Sequence, residues 1–508
     1  MTGSRSGRRL SSAVCLVLTV WLVYAAHLTS NVARETYLAL AMAERFTTQV
    51  DPYLGLHPDI FEIPGRGSYI NSNPGASMLG AVPLLVSRPA VAALFAAKPA
   101  LAAPKAPTTY DDPRPNRTTF MNEMRRRGLD IRLALAAFTT QVGLMAPLGA
   151  LAALAVFHYL LGYWRDERAA LAYALLYALG TPLFFRSAFL NQNALLAHAV
   201  LFSWMLLTAR GAGPDAPQRD RDWAVVGALL GFGLVLDYSA APLAVVFGGW
   251  AFVDGWTTGR LSGALRRAAC CLAGALPMVA LLLAYQHAAF GSPWFPAQRY
   301  MPPTEFSVRG WNGMTWPTVE LLWRNLADAR YGLLAFCPML AFGILAPFAR
   351  ATMIPRTAVI VGLIAVVALW LFNSANQFAN LQWNTGVRYM VPAVPLLFFL
   401  AVPLLRALPR LARWVVLAAT VGVSWSVSML REDVLTSIRL TLTEGPTLPM
   451  LIVLRKTASA YAPWLGGSAQ PLGLLAVAAL LATILLGWRL LWRGAPRSIP
   501  PLDPAVAA

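Results

Sequence analysis

A carboxylate one or two helical turns from a membrane surface is well placed to act as a general base, because the low dielectric beside it can raise its pKa toward neutrality. Glu35 stands in such a place. It lies in Asn31-Val-Ala-Arg-Glu-Thr-Tyr37, just after an apolar stretch, and is followed by Glu44, Asp51 in Val50-Asp51-Pro52-Tyr53, Asp59 and Glu62. Spacing leaves a second reading of Glu35 and Glu44 open, as the solvated face of an amphipathic loop helix. Late in the chain, Gln382-Trp-Asn-Thr-Gly-Val-Arg388-Tyr389 puts an arginine at the mouth of another apolar run. A guanidinium there suits a phosphate or diphosphate headgroup, and Gly386 lets backbone and ligand approach closely. Snorkelling of Arg388 to the interface is the simpler alternative.

Further polar groups sit at the ends of apolar runs: Arg186 in Leu179-Gly-Thr-Pro-Leu-Phe-Phe-Arg186, Asn191-Gln-Asn193 with His198, Asp237-Tyr238, Arg299 and Arg330. Ionisable residues at such depths are costly unless paired or functional. A lone His198 in an apolar run is more often a packing residue than a catalyst. The five histidines are scattered and no HExxH occurs, so no metal site is read from them. Cys15, Cys270, Cys271 and Cys337 lie in or beside apolar runs without metal spacing and read as packing.

The elements that must position these groups follow from composition. Of 508 residues 57% are hydrophobic and only 13% charged, and the mean hydropathy is +0.55. A globular domain carries roughly 25% charged residues, so the chain lacks the polar surface to face water all round. Its apolar residues come in runs of roughly 17–25, enough to cross a bilayer as helices. The reading is an all-α polytopic membrane protein with about 12 transmembrane helices and a large first extracytoplasmic loop containing juxtamembrane helices. Spans are expected near 11–28, 131–160, 168–184, 194–209, 223–236, 240–253, 268–288, 331–349, 357–372, 389–405, 413–429 and 471–492. The N-terminal Arg5, Arg8 and Arg9 before Ser12–Ala26 fit an uncleaved first span, a removable signal peptide being the alternative.

The net charge of +18 does not indicate nucleic acid, because the basic residues stand singly or in pairs between apolar runs. With a cytoplasmic N-terminus, Arg165/Arg168, Arg210/Arg219/Arg221, Arg260/Arg266/Arg267, Arg350/Arg356, Arg406/Arg410/Arg413 and Arg489/Arg493 all fall inside. The segment 74–97 is apolar enough for a further span, but counting it would invert that asymmetry. Pro74, Pro83, Pro89 and Arg88 also argue against a regular buried helix, so it is read as juxtamembrane or re-entrant. Outer loops are then 29–130, 289–330 and 430–470. The chain divides into a module over 1–405 and C-terminal helices over 406–508. Neither a Walker pattern nor a strand-associated GxGxxG is present.

These short motifs, in order, resemble the GT-C superfamily of integral-membrane glycosyltransferases. That superfamily includes protein O-mannosyltransferases and the bacterial transferases that add aminoarabinose or galacturonate to lipid A. The resemblance rests on Arg34-Glu35 with Tyr37, Asn73-Pro-Gly75, Phe290-Gly-Ser-Pro293, Arg330-Tyr-Gly-Leu…Cys-Pro338 and Gly386-Val-Arg-Tyr389. It looks most like a bacterial branch carrying GxRYxxPxxP late in the chain. It implies sugar transfer from a polyprenyl-phosphate donor to an acceptor outside the inner membrane, with a first-loop acid acting on the acceptor and outer arginines on the phosphate. By position Glu35 takes the first role, with Asp51 in reserve. Arg388 takes the second, and Tyr389, Arg186, Arg299, Arg330, Tyr238, Asp237 and Asn73 are the remaining candidates for substrate contact. The chain departs from its relatives in having Glu35 where many have an Asp or an Asp-Glu pair, and Asn-Pro-Gly where many have Pro-Pro after a lysine. Expected partners are the lipid-linked sugar donor and membrane lipids, and no nucleic acid. No cofactor is identified, and a divalent cation is left open. A transporter or flippase of lipid-linked sugars is the alternative function, an O-antigen ligase or a non-catalytic scaffold lesser ones.

Overall fold

The computed structural model describes residues 3–27, 33–109, 117–209, 219–349, 353–384, 386–430, 433–444 and 469–493. Asn31, Arg210, Arg350, most of the late loop 430–470 and the tail beyond 493 lie outside the described residues.

The protein is an all-α polytopic membrane protein. In chain order, α1 is Gly3–Ala26, α2 Arg34–Arg45, then the hairpin β1 Ile60–Ile63 and β2 Gly67–Ile70, and α3 Gly75–Ala97. Next come α4 Arg117–Arg126, α5 Asp130–Thr140, α6 Ala146–Trp164, α7 Glu167–Gly180, α8 Pro182–Arg186, α9 Gln192–Thr208 and α10 Asp220–Leu236. They are followed by α11 Ala240–Phe290, α12 Val319–Ala327, α13 Leu333–Phe336, α14 Ala341–Ile344, α15 Arg356–Ala375, α16 Val394–Ala407, α17 Arg410–Leu430, α18 Val434–Glu444 and α19 Ala469–Arg493. Large apolar side chains such as Val245, Leu261 and Leu272 remain exposed along the helices. Against lipid such exposure costs nothing, so only interior packing has to be specific. The interior is rich in aromatics, with Trp204, Trp223, Phe398 and Phe399 fully buried.

Helix starts are set locally. Asp166 caps α7 by accepting the Ala169 N–H at 3.1 Å, and Asn191 caps α9 by accepting the Ala194 N–H at 3.0 Å. The expected pair of spans 240–253 and 268–288 exists as the two arms of α11. Gly259 and Arg260 leave helical geometry, Arg260 at φ 54°, and Arg267 then pairs with Asp254. Thirteen residues of straight helix would hold those partners about 20 Å apart, so the chain doubles back at that point.

One expectation needs revision. The segment 331–349, expected as one span, is a chain of short turns including α13 and α14. Pro338 and Pro347 each remove an N–H that a continuous helix needs. Irregular backbone is tolerated there because Cys337, Met339 and Leu340 are fully buried in protein. The segment 74–97, expected as a juxtamembrane or re-entrant helix, holds the 23-residue helix Gly75–Ala97, with Pro83 and Pro89 inside it. It is long and apolar enough to cross a membrane, yet few of its residues are buried. An apolar groove of about 450 Å³ runs between α3 and the π-helical turn Gln141–Met145, lined by Val82, Pro83, Val86, Phe138 and Val142.

A candidate active site at the N-terminus of α2

The first turn of α2 is largely buried, Glu35 fully and Arg34 in part. Arg34 Nε donates to Glu35 Oε1 at 3.0 Å, and its Nη1 donates to Asp59 Oδ2 at 2.6 Å. The Glu35 side chain is 5% exposed and that of Asp59 31%, so Asp59 is the more open of the two carboxylates. Gln192, the first residue of α9, closes the arrangement. With its amide oriented to suit both neighbours, it donates to Glu35 Oε1 at 2.8 Å and accepts from Arg34 Nη2 at 3.2 Å. Ser77 Oγ donates to the Glu35 carbonyl at 2.9 Å, fixing α3 to the same turn.

Asp59 is delivered by the hairpin. Its carbonyl accepts the Asn71 N–H at 2.8 Å, one step beyond the Ile60–Ile70 pair, so the β ladder continues to the acid. Burial alone would raise the Asp59 pKa. Arg34, His57 and Arg388 outweigh it and hold the carboxyl below its ordinary value. Burial disfavours the charge on Arg34, but Asp59 and Glu35 overcome it and hold the guanidinium firmly protonated.

Two more arginines complete the cluster. Arg186 ends α8 and is buried, its guanidinium 5.0 Å from the centre of the Phe189 ring. Burial and then repulsion from Arg388 pull its pKa down to about 9, against attraction by Glu35 and Tyr389. It therefore remains a cation at neutral pH. Arg388 is half-buried and lies over the Tyr389 ring at 4.8 Å. Its loop is held by Gln382, whose Oε1 accepts the N–H groups of both Arg388 and Tyr389 at 3.0 Å. Gly386, at φ 70°, turns the chain where a Cβ would come within 3.0 Å of the Phe185 and Phe336 rings. Arg34, Arg186 and Arg388 against Glu35 and Asp59 leave one surplus positive charge, which favours an anionic ligand.

The other sequence candidates divide. Asn73 pins the loop before α3 by donating to the Leu234 carbonyl at 2.7 Å. Gly75 sits beside it so close to the backbone of Val235 that a Cβ would meet it at 2.8 Å. Asp237 caps the end of α10 and accepts the Ser239 N–H at 2.8 Å. Tyr238 bonds Gln286, and burial followed by the Asp237 charge raises its pKa. Asp51 is spent on the hairpin itself, accepting the Ser68 N–H at 2.6 Å. Arg299 and Arg330 are exposed, and among the described residues no hydrogen bond or ion pair joins them to the cluster. His198 is buried about 9 Å further along α9 than Gln192.

Sequence reading singled out Glu35, Arg388 and Arg186 but gave no role to Asp59, Gln192, His57 or Gln382. Asp59 lies 24 positions beyond Glu35, and only the hairpin register brings it to Arg34. Among the described residues, no group of three or more His, Cys, Asp or Glu side chains stands where it could hold a metal ion.

No family model and no curated protein matches the chain. Two solved structures are similar, both of ArnT from Cupriavidus metallidurans. The apo crystal structure matches with a TM-score of 0.46 at 17% identity, over 94% of this chain and 75% of that one. The crystal structure of the same protein bound to undecaprenyl phosphate matches with a TM-score of 0.44 at 17% identity, over the same shares of the two chains.

Proposed function

We propose that the protein is a membrane glycosyltransferase that moves a sugar from a polyprenyl-phosphate donor to an acceptor on the outer face of a bacterial inner membrane. The observation that carries this reading is the meeting of Glu35, Asp59, Arg34, Arg186 and Arg388 from four distant stretches of chain. The ordered motifs that resemble the GT-C superfamily point the same way.

Inverting displacement at an anomeric carbon needs a base for the acceptor hydroxyl, cations for the departing phosphate and a site shielded from water. Arg388 receives the donor phosphate, and Arg186 adds a second cation close by. As the C–O bond to phosphate breaks, negative charge grows on the bridging oxygen, and fixed guanidinium groups stabilise it without reorganising. Asp59, held ionised by Arg34 and the more open of the two carboxylates, suits orientation of the acceptor hydroxyl. Glu35 takes the proton as the new glycosidic bond forms. Arg34 and Gln192 hold its carboxylate in place.

The test is a transfer assay with purified protein, radiolabelled polyprenyl-phosphate sugars, and membrane lipid plus envelope extract as acceptors, run with magnesium and with chelator. Label transferred by the wild type and not by Glu35→Gln supports the reading. Label that only crosses the membrane of proteoliposomes would instead make the protein a transporter of lipid-linked sugars.

A further inference from the structure

The short helix α12 shows two unlike faces. Leu321 and Asn325 are buried, while Val319 is 82% exposed and Trp323, four residues on, is 65% exposed. Trp316, just before the helix, is 89% exposed. Tryptophan left so open in water is unfavourable, but it is the residue enriched where a bilayer meets water. α12 is also attached to a lipid-facing surface. Trp370 of α15 donates its indole N–H to the Leu322 carbonyl at 2.9 Å. α15 itself exposes an apolar stripe, Ile360, Ile364, Val367 and Leu371, as α12 exposes Val319 and Trp323. Helical spacing puts that stripe on one side.

The buried face leads to the candidate site. Asn325 Oδ1 accepts from Gln382 Nε2 at 2.8 Å, and Gln382 Oε1 in turn holds the Arg388 and Tyr389 N–H groups. Leu321, Ala379 and Tyr389 form a small apolar cluster beside it. Arg324 adds a bond to Asn380 at 3.0 Å. Two side chains thus connect the exposed helix to the Arg388 backbone.

We infer that α12 and Trp316 dock into the headgroup region of the bilayer, and that Asn325 and Gln382 carry this anchorage to Arg388, fixing its guanidinium at the depth of lipid phosphates. The docking stands on exposure and on the attachment of α12 to α15; what Arg388 holds rests on the proposed function. A lipid phosphate stays at a fixed depth in the leaflet, so a loop that binds it gains from being set against the same surface.

Docking is tested with the full chain in proteoliposomes, in a background of Cys15→Ala, Cys270→Ala, Cys271→Ala and Cys337→Ala. An environment-sensitive fluorophore is attached at Trp323→Cys or Trp316→Cys. Quenching by lipids bearing a nitroxide near the headgroup, with protection from aqueous iodide, is expected. Iodide access without lipid quenching, or protection that requires a second protein, would overturn docking. The coupling is tested by polyprenyl-phosphate binding in nanodiscs. Trp316→Ser with Trp323→Ser, and separately Asn325→Leu, should each weaken it roughly tenfold. Circular dichroism and thermal melting establish that each variant is folded. If Arg388→Ala weakens binding and these variants do not, the coupling is wrong. If Arg388→Ala changes nothing either, the phosphate role of Arg388 fails while the docking result stands by itself.

Discussion

Arg34 donates to Asp59 at 2.6 Å, tying the first turn of α2 to the residue just ahead of the β hairpin. The same guanidinium holds Glu35 at 3.0 Å, so one cation organises two carboxylates of different exposure. Planar fork geometry explains why arginine serves here: its donors diverge in one plane, as a lysine's cannot.

Glu35→Gln should lower transfer by roughly 10²–10⁴-fold, the usual contribution of general acid–base catalysis. Donor binding should stay within a few fold, since Arg388 and Arg186 are untouched. Asp59→Asn should act mainly on the apparent affinity for acceptor. Steady-state kinetics with donor and acceptor varied separately would check both. Full activity in Glu35→Gln would remove Glu35 from the mechanism.

Arg34→Ala leaves a buried carboxylate without its cation. Removing one partner of a buried pair costs about 3–5 kcal/mol, and the partial exposure of Asp59 reduces this to about 2–3 kcal/mol. The expected result is a melting temperature lower by several degrees in detergent, together with loss of activity. Arg34→Lys should recover part of the stability and little of the activity, because the forked contact is not restored. An unchanged melting curve for Arg34→Ala would mean that the ion pair is not formed in solution.

The folded-state pKa of Asp59 lies below its ordinary value of 3.8, despite burial, because of Arg34, His57 and Arg388. The unfolded state therefore takes up a proton first as pH falls. The stabilisation is fully present above that ordinary value and is lost as pH drops through the lower folded value. Melting temperature should accordingly fall on acidification below about pH 4, and Asp59→Asn should flatten that slope. Differential scanning fluorimetry across this range reads the difference. Equal slopes would show that the Asp59 charge gains nothing from its neighbours.

How much of this could be read from the sequence depends on the range of each contact. Apolar runs announce helices by composition, and α1, α5–α6, α7, α9, α10, both arms of α11, α15, α16, α17 and α19 cover most of the expected spans. Among the described residues, however, only α3, α5–α6, α11, α15 and α17 are long and apolar enough to cross a membrane. The segment 331–349 misled because its hydropathy matched a span, although Pro338 and Pro347 already argued against a continuous helix. Glu35 and Arg388 could be named because each sits in a local pattern beside an apolar run. Asp59 and Gln192 could not, since their roles depend on the hairpin register and on where α9 begins relative to α2. Asp51 stands in reserve to Glu35 in sequence, and its carboxylate accepts the Ser68 N–H.

Arg388→Ala should weaken polyprenyl-phosphate binding by roughly 10–100-fold, in line with the loss of a charge-assisted contact. Arg186→Ala should do the same to a smaller extent and also relieve its repulsion with Arg388. Arg186→Met, which keeps much of the volume between Phe185 and Phe189, separates charge from packing. Isothermal titration in nanodiscs would measure all three. Unaltered binding in Arg388→Ala would return that residue to anchoring at the interface.

Gly386→Ala tests the same loop without touching a charge. At φ 70° an alanine is strained by about 1–2 kcal/mol, and its Cβ would press on Phe185 at 2.9 Å and Phe336 at 3.0 Å. Relief requires either those rings or the backbone to move. Phe336 packs in the buried core, and Phe185 adjoins Arg186, so the loop should give way first and carry Arg388 with it. The expected outcome is reduced donor affinity, with a smaller loss of melting temperature than for Arg34→Ala. Hydrogen exchange should rise at the Arg388 and Tyr389 amides that Gln382 now holds. Normal affinity with normal protection of those amides would mean that the site does not depend on the tight turn at Gly386.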